Sequence, residues 1–411
     1  MRWLTDLALF LIALAAAPFM LPGLLRRGWF NTDWRGRRGI LDTSASGPGG
    51  QPHILLAAVS VGEVNAIRTL VPLLVQRGAR VTVAVTTDTG FARASVQFEN
   101  TAHVVRYPFD LSVWVNRFLD AVSPDVVGLV ELEVWPNFMR SCGSRGIPVQ
   151  VIGGRLSDRS YRRYRLVSGV VRPMFNTLAG VHAQDAAIGE RFQSLGAASV
   201  EVTLSLKWDH VAASSSIEDA DALAAAMGID RTRPLVVAGS SAPHEHALIR
   251  DAVPAGTQLL CAPRRPEWWD AAAEVLPGCA RRSLGDLGSD TDRFLLDTIG
   301  ELSAAYRLAD IIIIGRSFGD LHGSDPLEPV GLGKAVICGP AMGDFGPSMA
   351  VLLPADAIVQ VEPANLGSTL ATLLEDAAAR ESLATCGAAA IASMQGASEK
   401  AADRLLMLAA C

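Results

Sequence analysis

The sequence predicts an α/β protein of two Rossmann-like units in tandem, each a parallel sheet wrapped by helices, behind an apolar N-terminal head. Three observations predict it. The chain has 411 residues, too many for one core when a domain holds roughly 100–200. Short apolar runs of strand length alternate with amphipathic runs of helix length, the rhythm of βαβ units in a sheet covered on both faces. That rhythm stops near His210–Pro234 and then begins again.

The head comes first. Leu7 to Leu25 is a stretch of 19 residues without a charge. As a straight helix it would span about 28 Å, close to a bilayer core. Pro18 and Pro22 interrupt it, and Arg26, Arg27, Arg35, Arg37 and Arg38 follow. Positive flanks resist translocation, which weighs against a cleaved signal peptide. A buried core helix is the other reading. The favoured one is a membrane anchor over residues 1–42, spanning or monotopic, with its arginines on anionic headgroups and Trp29 and Trp34 at the interface. Residues 43–52, rich in Gly, Ser and Pro, make a flexible boundary.

The first unit, 53–215, carries apolar runs at 54–60, 81–87, 125–131, 149–154 and 180–184, each followed by a helical pattern. Residues 216–232 read as a linker. The second unit, 233–390, repeats the plan with runs at 235–240, 258–263, 293–297, 310–315, 335–339 and 357–361, and an Ala-rich helix over 391–411 closes the chain. Two open parallel sheets place ligands at the carboxyl ends of their strands, toward a cleft between the lobes.

Composition narrows the function. Half the chain is hydrophobic, which excludes a disordered chain, a coiled coil and a collagen. Residues 1–50 hold six Arg and three Asp, a net of +3, which leaves −9 for the remainder of a chain whose net charge is −6. An acidic body argues against nucleic acid as a partner. Six cysteines lie far apart without a CxxC and read as reduced thiols. GxGxxG, GxxxxGK[ST] and HExxH are absent. Asp290-Thr291-Asp292 resembles a metal-binding DxD but sits in a polar loop without supporting ligands, so no metal is expected.

The candidates for chemistry follow strands. Ser60-Val61-Gly62-Glu63 puts a carboxylate on a first helical turn, either ordinary capping or a general base. Glu131 and Glu133 follow an apolar run, on one face if the strand alternation continues, beside the helix start Trp135-Pro136. Lys207, one of only three lysines, ends the first unit; its alternative is an ion pair with Asp209. In the second unit, Gly239-Ser240-Ser241 can offer backbone N–H groups to a phosphate. Pro263-Arg264 supplies a guanidinium for a phosphate or a base edge. Ile299-Gly300-Glu301 and Asp325-Pro326-Leu327-Glu328 open two further helices, and a Glu there can accept from a ribose diol.

In order, these strings resemble the 3-deoxy-D-manno-octulosonic acid (Kdo) transferases of lipid A assembly over nearly the whole chain. SVGE (60–63) is shared. ELEVWPN (131–137) stands for ETELWPN, GGRLSDRS (153–160) for NxRLSxRS and SLKWD (205–209) for GSLKFD. PRRPE (263–267), IGE (299–301) and DPLEP (325–329) are similar to PRHPE, MGE and NPLEP. The resemblance implies a GT-B fold and inverting transfer of Kdo from CMP-Kdo to a lipid A precursor, lipid IVA. It implies Glu63 as general base, and Glu131 and Lys207 stabilising the transition state. CMP would lie on Pro263, Arg264, Ile299, Gly300, Glu301 and Asp325, Pro326, Leu327 and Glu328. No cofactor is expected beyond the donor, and the place is the cytoplasmic face of the inner membrane. The sequence departs at Leu204, where the family has Gly, and at Ser324-Asp325, where it has His-Asn. Those changes leave open a related GT-B transferase with another CMP-ulosonic acid or acceptor; a non-catalytic two-lobed sugar-binding protein is the other alternative.

Overall fold

A computed structural model describes residue 6 and residues 32–41, 50–210 and 216–410. The apolar stretch 7–25 read as an anchor lies outside the described residues. Among the described residues no helix is long and apolar enough to cross a membrane.

Among the described residues fourteen strands form two seven-stranded sheets, parallel throughout. The first holds β1 (His53–Ala58), β2 (Arg80–Val85), β3 (His103–Arg106), β4 (Val126–Val130), β5 (Val149–Gly154), β6 (Gly180–Ala183) and β7 (Val200–Val202) in the order β3-β2-β1-β4-β5-β6-β7. The second holds β8 (Leu235–Ser241), β9 (Gln258–Pro263), β10 (Ala280–Arg281), β11 (Arg293–Leu295), β12 (Ile311–Ile314), β13 (Ala335–Cys338) and β14 (Val359–Gln360) in the order β10-β11-β9-β8-β12-β13-β14. The order reverses between β1 and β4 in the first sheet and between β8 and β12 in the second, the switch points where such sheets bind ligands. Central strands such as β1, β4 and β12 are buried at every residue, as a sheet with helices on both faces requires. Three strands were not predicted: β3, exposed or half-buried over its first half, β7, exposed or half-buried throughout, and β10, of two residues.

The chain divides into two compact units, Met1–His210 with Gln395–Cys411, and Val211–Met394. The stretch read as a linker contains a helix, Ile217–Met227, which belongs to the second unit. The C-terminal helical region is two helices, Ala377–Met394 and Ala397–Ala409, and only the second returns to the first unit. Ala397, Ala401, Ala402 and Leu405 of that last helix join the core over β1 and β4. Small residues let it lie close. A Cβ on Gly128 of β4 would fall 2.7 Å from Leu56 Cδ2 and 3.4 Å from Leu405 Cδ2. The Asp209 carboxylate fixes its start by accepting from the backbone N–H groups of Gly396 (2.6 Å) and Ser398.

Candidate active site

Glu63 is placed by the turn that leaves β1. Ser60 caps the helix Val61–Ala66 with extended backbone, its hydroxyl oxygen accepting from the Glu63 N–H at 3.4 Å. The carboxylate folds back on the same turn. Oε2 accepts from the Val59 N–H at 2.7 Å and Oε1 from the Ser60 hydroxyl at 3.1 Å. Thr87 secures the turn from beside it, donating to the Val59 carbonyl at 2.8 Å. The side chain is 9% exposed. Burial pushes its pKa up to about 7, and the charges of Glu131 and Glu133 add to the rise against the two hydrogen bonds. A carboxyl poised near neutrality accepts a proton well at physiological pH.

Glu131 does not lie on a continuing pleat. β4 ends at Val130, and Glu131 takes the left-handed conformation with φ +60°. Its N–H still donates to the Ile152 carbonyl at 3.1 Å. Strand alternation therefore does not set the directions of Glu131 and Glu133, and the shared-face expectation gives way to a turn. A non-glycine residue held left-handed costs about 1–2 kcal/mol and concentrates at functional sites. Glu131 lines a small pocket with Lys207, Gly153, Gln184 and Ser205. Glu133 accepts from the Trp135 indole N–H at 2.7 Å, and burial raises its pKa.

Lys207 reaches that pocket because its neighbours are anchors. Leu206 and Trp208 are 3% and 5% exposed in the 3-10 turn Leu206–His210, and Lys207 is half-buried between them. With Asp209 committed to the last helix, Lys207 has no carboxylate partner among the described residues. Leu204, two residues before the motif's Leu206, has φ +71°, the region glycine adopts freely. Leu204→Gly should therefore be more stable than Leu204→Ala by about 0.5–1 kcal/mol, the reverse of the usual order. Urea melts of both variants measure the difference, and Ala above Gly would refute the strain.

The second unit has several of its candidates around the irregular end of β8, which includes Gly239, Ser240 and Ser241 where a loop after the strand was expected. Ser240 has φ +57°, and β8 and β9 shift register between Gly239 and Ser241. The next loop presses on it: a Cβ on Gly315 would lie 2.5 Å from Ser241 N. Glu245 binds the two turns, its Oε1 accepting from the N–H groups of Ala242 (2.8 Å) and Arg316. Arg264 N–H donates to the Ser241 carbonyl at 3.0 Å. Ser240, Pro263, Arg264, Ile299 and Gly300 line one pocket, together with Trp269. Ile299 is 84% exposed, an apolar side chain open at the mouth of a pocket.

Two predicted nucleotide residues have partners of their own. Glu301 is paired with Arg282 at 2.9 Å and accepts from Thr298, so its carboxylate is already engaged. Asp325 accepts from the Leu327 N–H at 3.0 Å, capping its own turn. Buried Tyr306 senses Glu328, Asp325 and Arg264, and its phenol pKa is raised, by burial first and then by those two carboxylates. Its ring packs on Gly239, where a Cβ would overlap it. Tyr306, Glu245, Gln184 and Arg316 were not foreseen, and no local pattern marks them. Arg316 is held at φ +59°, and its guanidinium donates to Ser324 Oγ at 3.1 Å and to the Gly323 carbonyl. Burial and Arg264 lower its pKa, so positive charge converges beside the Ser240 turn. Among the described residues no group of three His, Cys, Asp or Glu side chains gathers to hold a metal.

A family profile for 3-deoxy-D-manno-octulosonic-acid transferase (kdotransferase) matches residues 32–210. The 3-deoxy-D-manno-octulosonic acid transferase of Bordetella pertussis is 31% identical over 369 residues, covering 85% of each chain. That of Haemophilus influenzae is 28% identical, covering 86% of each. A solved glycosyltransferase from Rickettsia africae superposes with a TM-score of 0.57 at 11% identity, over 87% of this chain and 99% of the other, which shows the fold alone.

Proposed function

The chain belongs to the 3-deoxy-D-manno-octulosonic acid transferase family, and from that premise we propose that it moves Kdo from CMP-Kdo to a lipid A precursor, lipid IVA, with inversion. The observation that carries the reading is Glu63, a buried carboxyl held by Val59 and Ser60 and poised near neutrality. Its carboxylate takes the proton of the acceptor hydroxyl as that oxygen bonds to the anomeric carbon. The bond from that carbon to the phosphate oxygen breaks on the opposite side, and the electron pair leaves with CMP. Direct displacement of this kind inverts the centre.

The transition state has oxocarbenium character, which the Glu131 carboxylate favours. Lys207 offers its ammonium to the donor's negative charge. CMP lies on the pocket of Ser240, Pro263, Arg264, Ile299 and Gly300, where Arg264 and the strained Ser240 turn meet the single phosphate. A monophosphate leaving group needs less charge compensation than a diphosphate, so the proposed reaction requires no metal. The apolar head would hold the enzyme at the cytoplasmic face of the inner membrane, within reach of a lipid acceptor.

The donor assignment predicts that CMP binds the protein more tightly than UMP, because the base edge distinguishes them. Titration calorimetry with both nucleotides measures this. Preference for UMP would reject the CMP donor while leaving the fold and family untouched.

A further inference from the structure

We propose that the helix Asp158–Leu166, through Arg159, Arg162, Arg163 and Leu166, docks this enzyme on the surface of a phospholipid bilayer containing anionic headgroups. The proposal rests on the membrane-facing part of the function above, not on its chemistry. The helix follows directly from the site: Arg155, three residues before it, donates its N–H to the Glu131 carbonyl at 3.3 Å.

Among the described residues the outer face of this helix has no partner. None of its nine residues is buried. Tyr161 and Tyr164 pack partly against the core of the first unit, and they define its inner face. The positions 159, 162, 163 and 166 follow the i, i+3, i+4, i+7 spacing of a single outer stripe. Arg159, Arg162 and Arg163 are exposed, and none of them has an ion-pair partner among the described residues. The helix's one acid, Asp158, is already paired with Arg191 at 2.8 Å. Leu166 ends the stripe at 87% exposure and Val167 follows at 53%. Arg172 on the next helix, Ser168–Phe175, adds another exposed cation.

Cations flanking an exposed apolar tip match an anionic lipid surface. The arginines meet headgroup phosphates while Leu166 and Val167 enter the acyl boundary. The contrast with the rest of the molecule is what makes the match specific, because the whole chain carries −6. A nucleic acid would use the same cations, but it gives no place to an exposed leucine.

The test uses the full chain, so that the apolar head contributes equally to every sample. Binding is measured by sedimentation with vesicles of phosphatidylethanolamine alone and of phosphatidylethanolamine with phosphatidylglycerol. Replacing Arg159→Gln, Arg162→Gln and Arg163→Gln together should weaken binding to the anionic vesicles roughly a hundredfold, at about fivefold per arginine. Binding to the neutral vesicles should not change. An environment-sensitive fluorophore on Leu166→Cys should shift to the blue with anionic vesicles. The same probe on Val96→Cys, exposed on another helix of this unit, should not. Equal binding by the triple variant, an unshifted probe at 166, or a probe that responds to an oligonucleotide instead of the vesicles would overturn the proposal. If the triple variant does not fold, the probe at 166 decides alone. Neither readout needs transfer activity, so failure here and failure of the transferase reading are distinct.

Discussion

Glu63→Gln should lower turnover by roughly 100- to 10,000-fold, the range for loss of a general base, while leaving the affinity for CMP unchanged. The amide can still accept from the Val59 N–H, so the turn survives. What it loses is the capacity to take a proton. The pH dependence gives a second signature. A general base acts as its carboxylate, so kcat/KM should rise with pH through an apparent pKa near 7. The stability effect runs the other way. Glu63 is raised in the folded chain above its ordinary value of 4.5, so the native state holds the proton more tightly than the unfolded state. That stabilisation is complete below pH 4.5 and is lost as pH rises through 7. It is worth on the order of 3 kcal/mol. Glu63→Gln removes this slope, so the variant should gain stability relative to wild type as pH rises from 5 to 8. Thermal melts across that interval measure it, and parallel pH profiles for the two proteins would refute the buried, protonatable carboxyl.

Lys207→Met should lower turnover by roughly 100- to 1,000-fold, the scale of removing one preorganised electrostatic contact. The methionine keeps the aliphatic stem and removes the charge. Because Leu206 and Trp208 hold the turn, the fold should be unaffected and the loss should fall on chemistry. Lys207→Arg should restore little, since a planar fork does not replace a compact ammonium in a small pocket shared with Glu131 and Gln184. Steady-state kinetics with both variants separates the effects. Full activity in Lys207→Met would remove this residue from the mechanism.

The central strands were legible because they are buried on both faces and read as continuous apolar runs, as in Ile311–Ile314. The missed strands, β3, β7 and β10, include edges of both sheets. His103 is exposed in β3, and Glu201 and Val202 in β7, while β10 has only two residues. A strand with one neighbour needs less apolar surface and often carries charge, so the pattern that finds a centre fails at an edge.

The site was legible in part for a related reason. Glu63, Glu131 and Lys207 stand in local strings whose neighbours cap a turn or anchor it, so sequence proximity carries the geometry. Asp209 looked like a partner for Lys207 because the two are close in sequence, yet it caps a helix 187 residues away. Tyr306 lies in an ordinary helix, and its packing on Gly239 and its exposure to the charges of Glu328, Asp325 and Arg264 come from residues distant in sequence. Leu204 shows an intermediate case. Its departure from the family motif was legible in the sequence, but the positive φ it carries was not.

The most direct measurement of the account is the mass of the lipid after wild type or Glu63→Gln is incubated with CMP-Kdo and lipid IVA in the presence of EDTA. Wild type should add one or more whole Kdo residues to the lipid, and the variant none in the same time. Wild type leaving the lipid unchanged under conditions where it binds CMP, or the variant matching wild type, would contradict it.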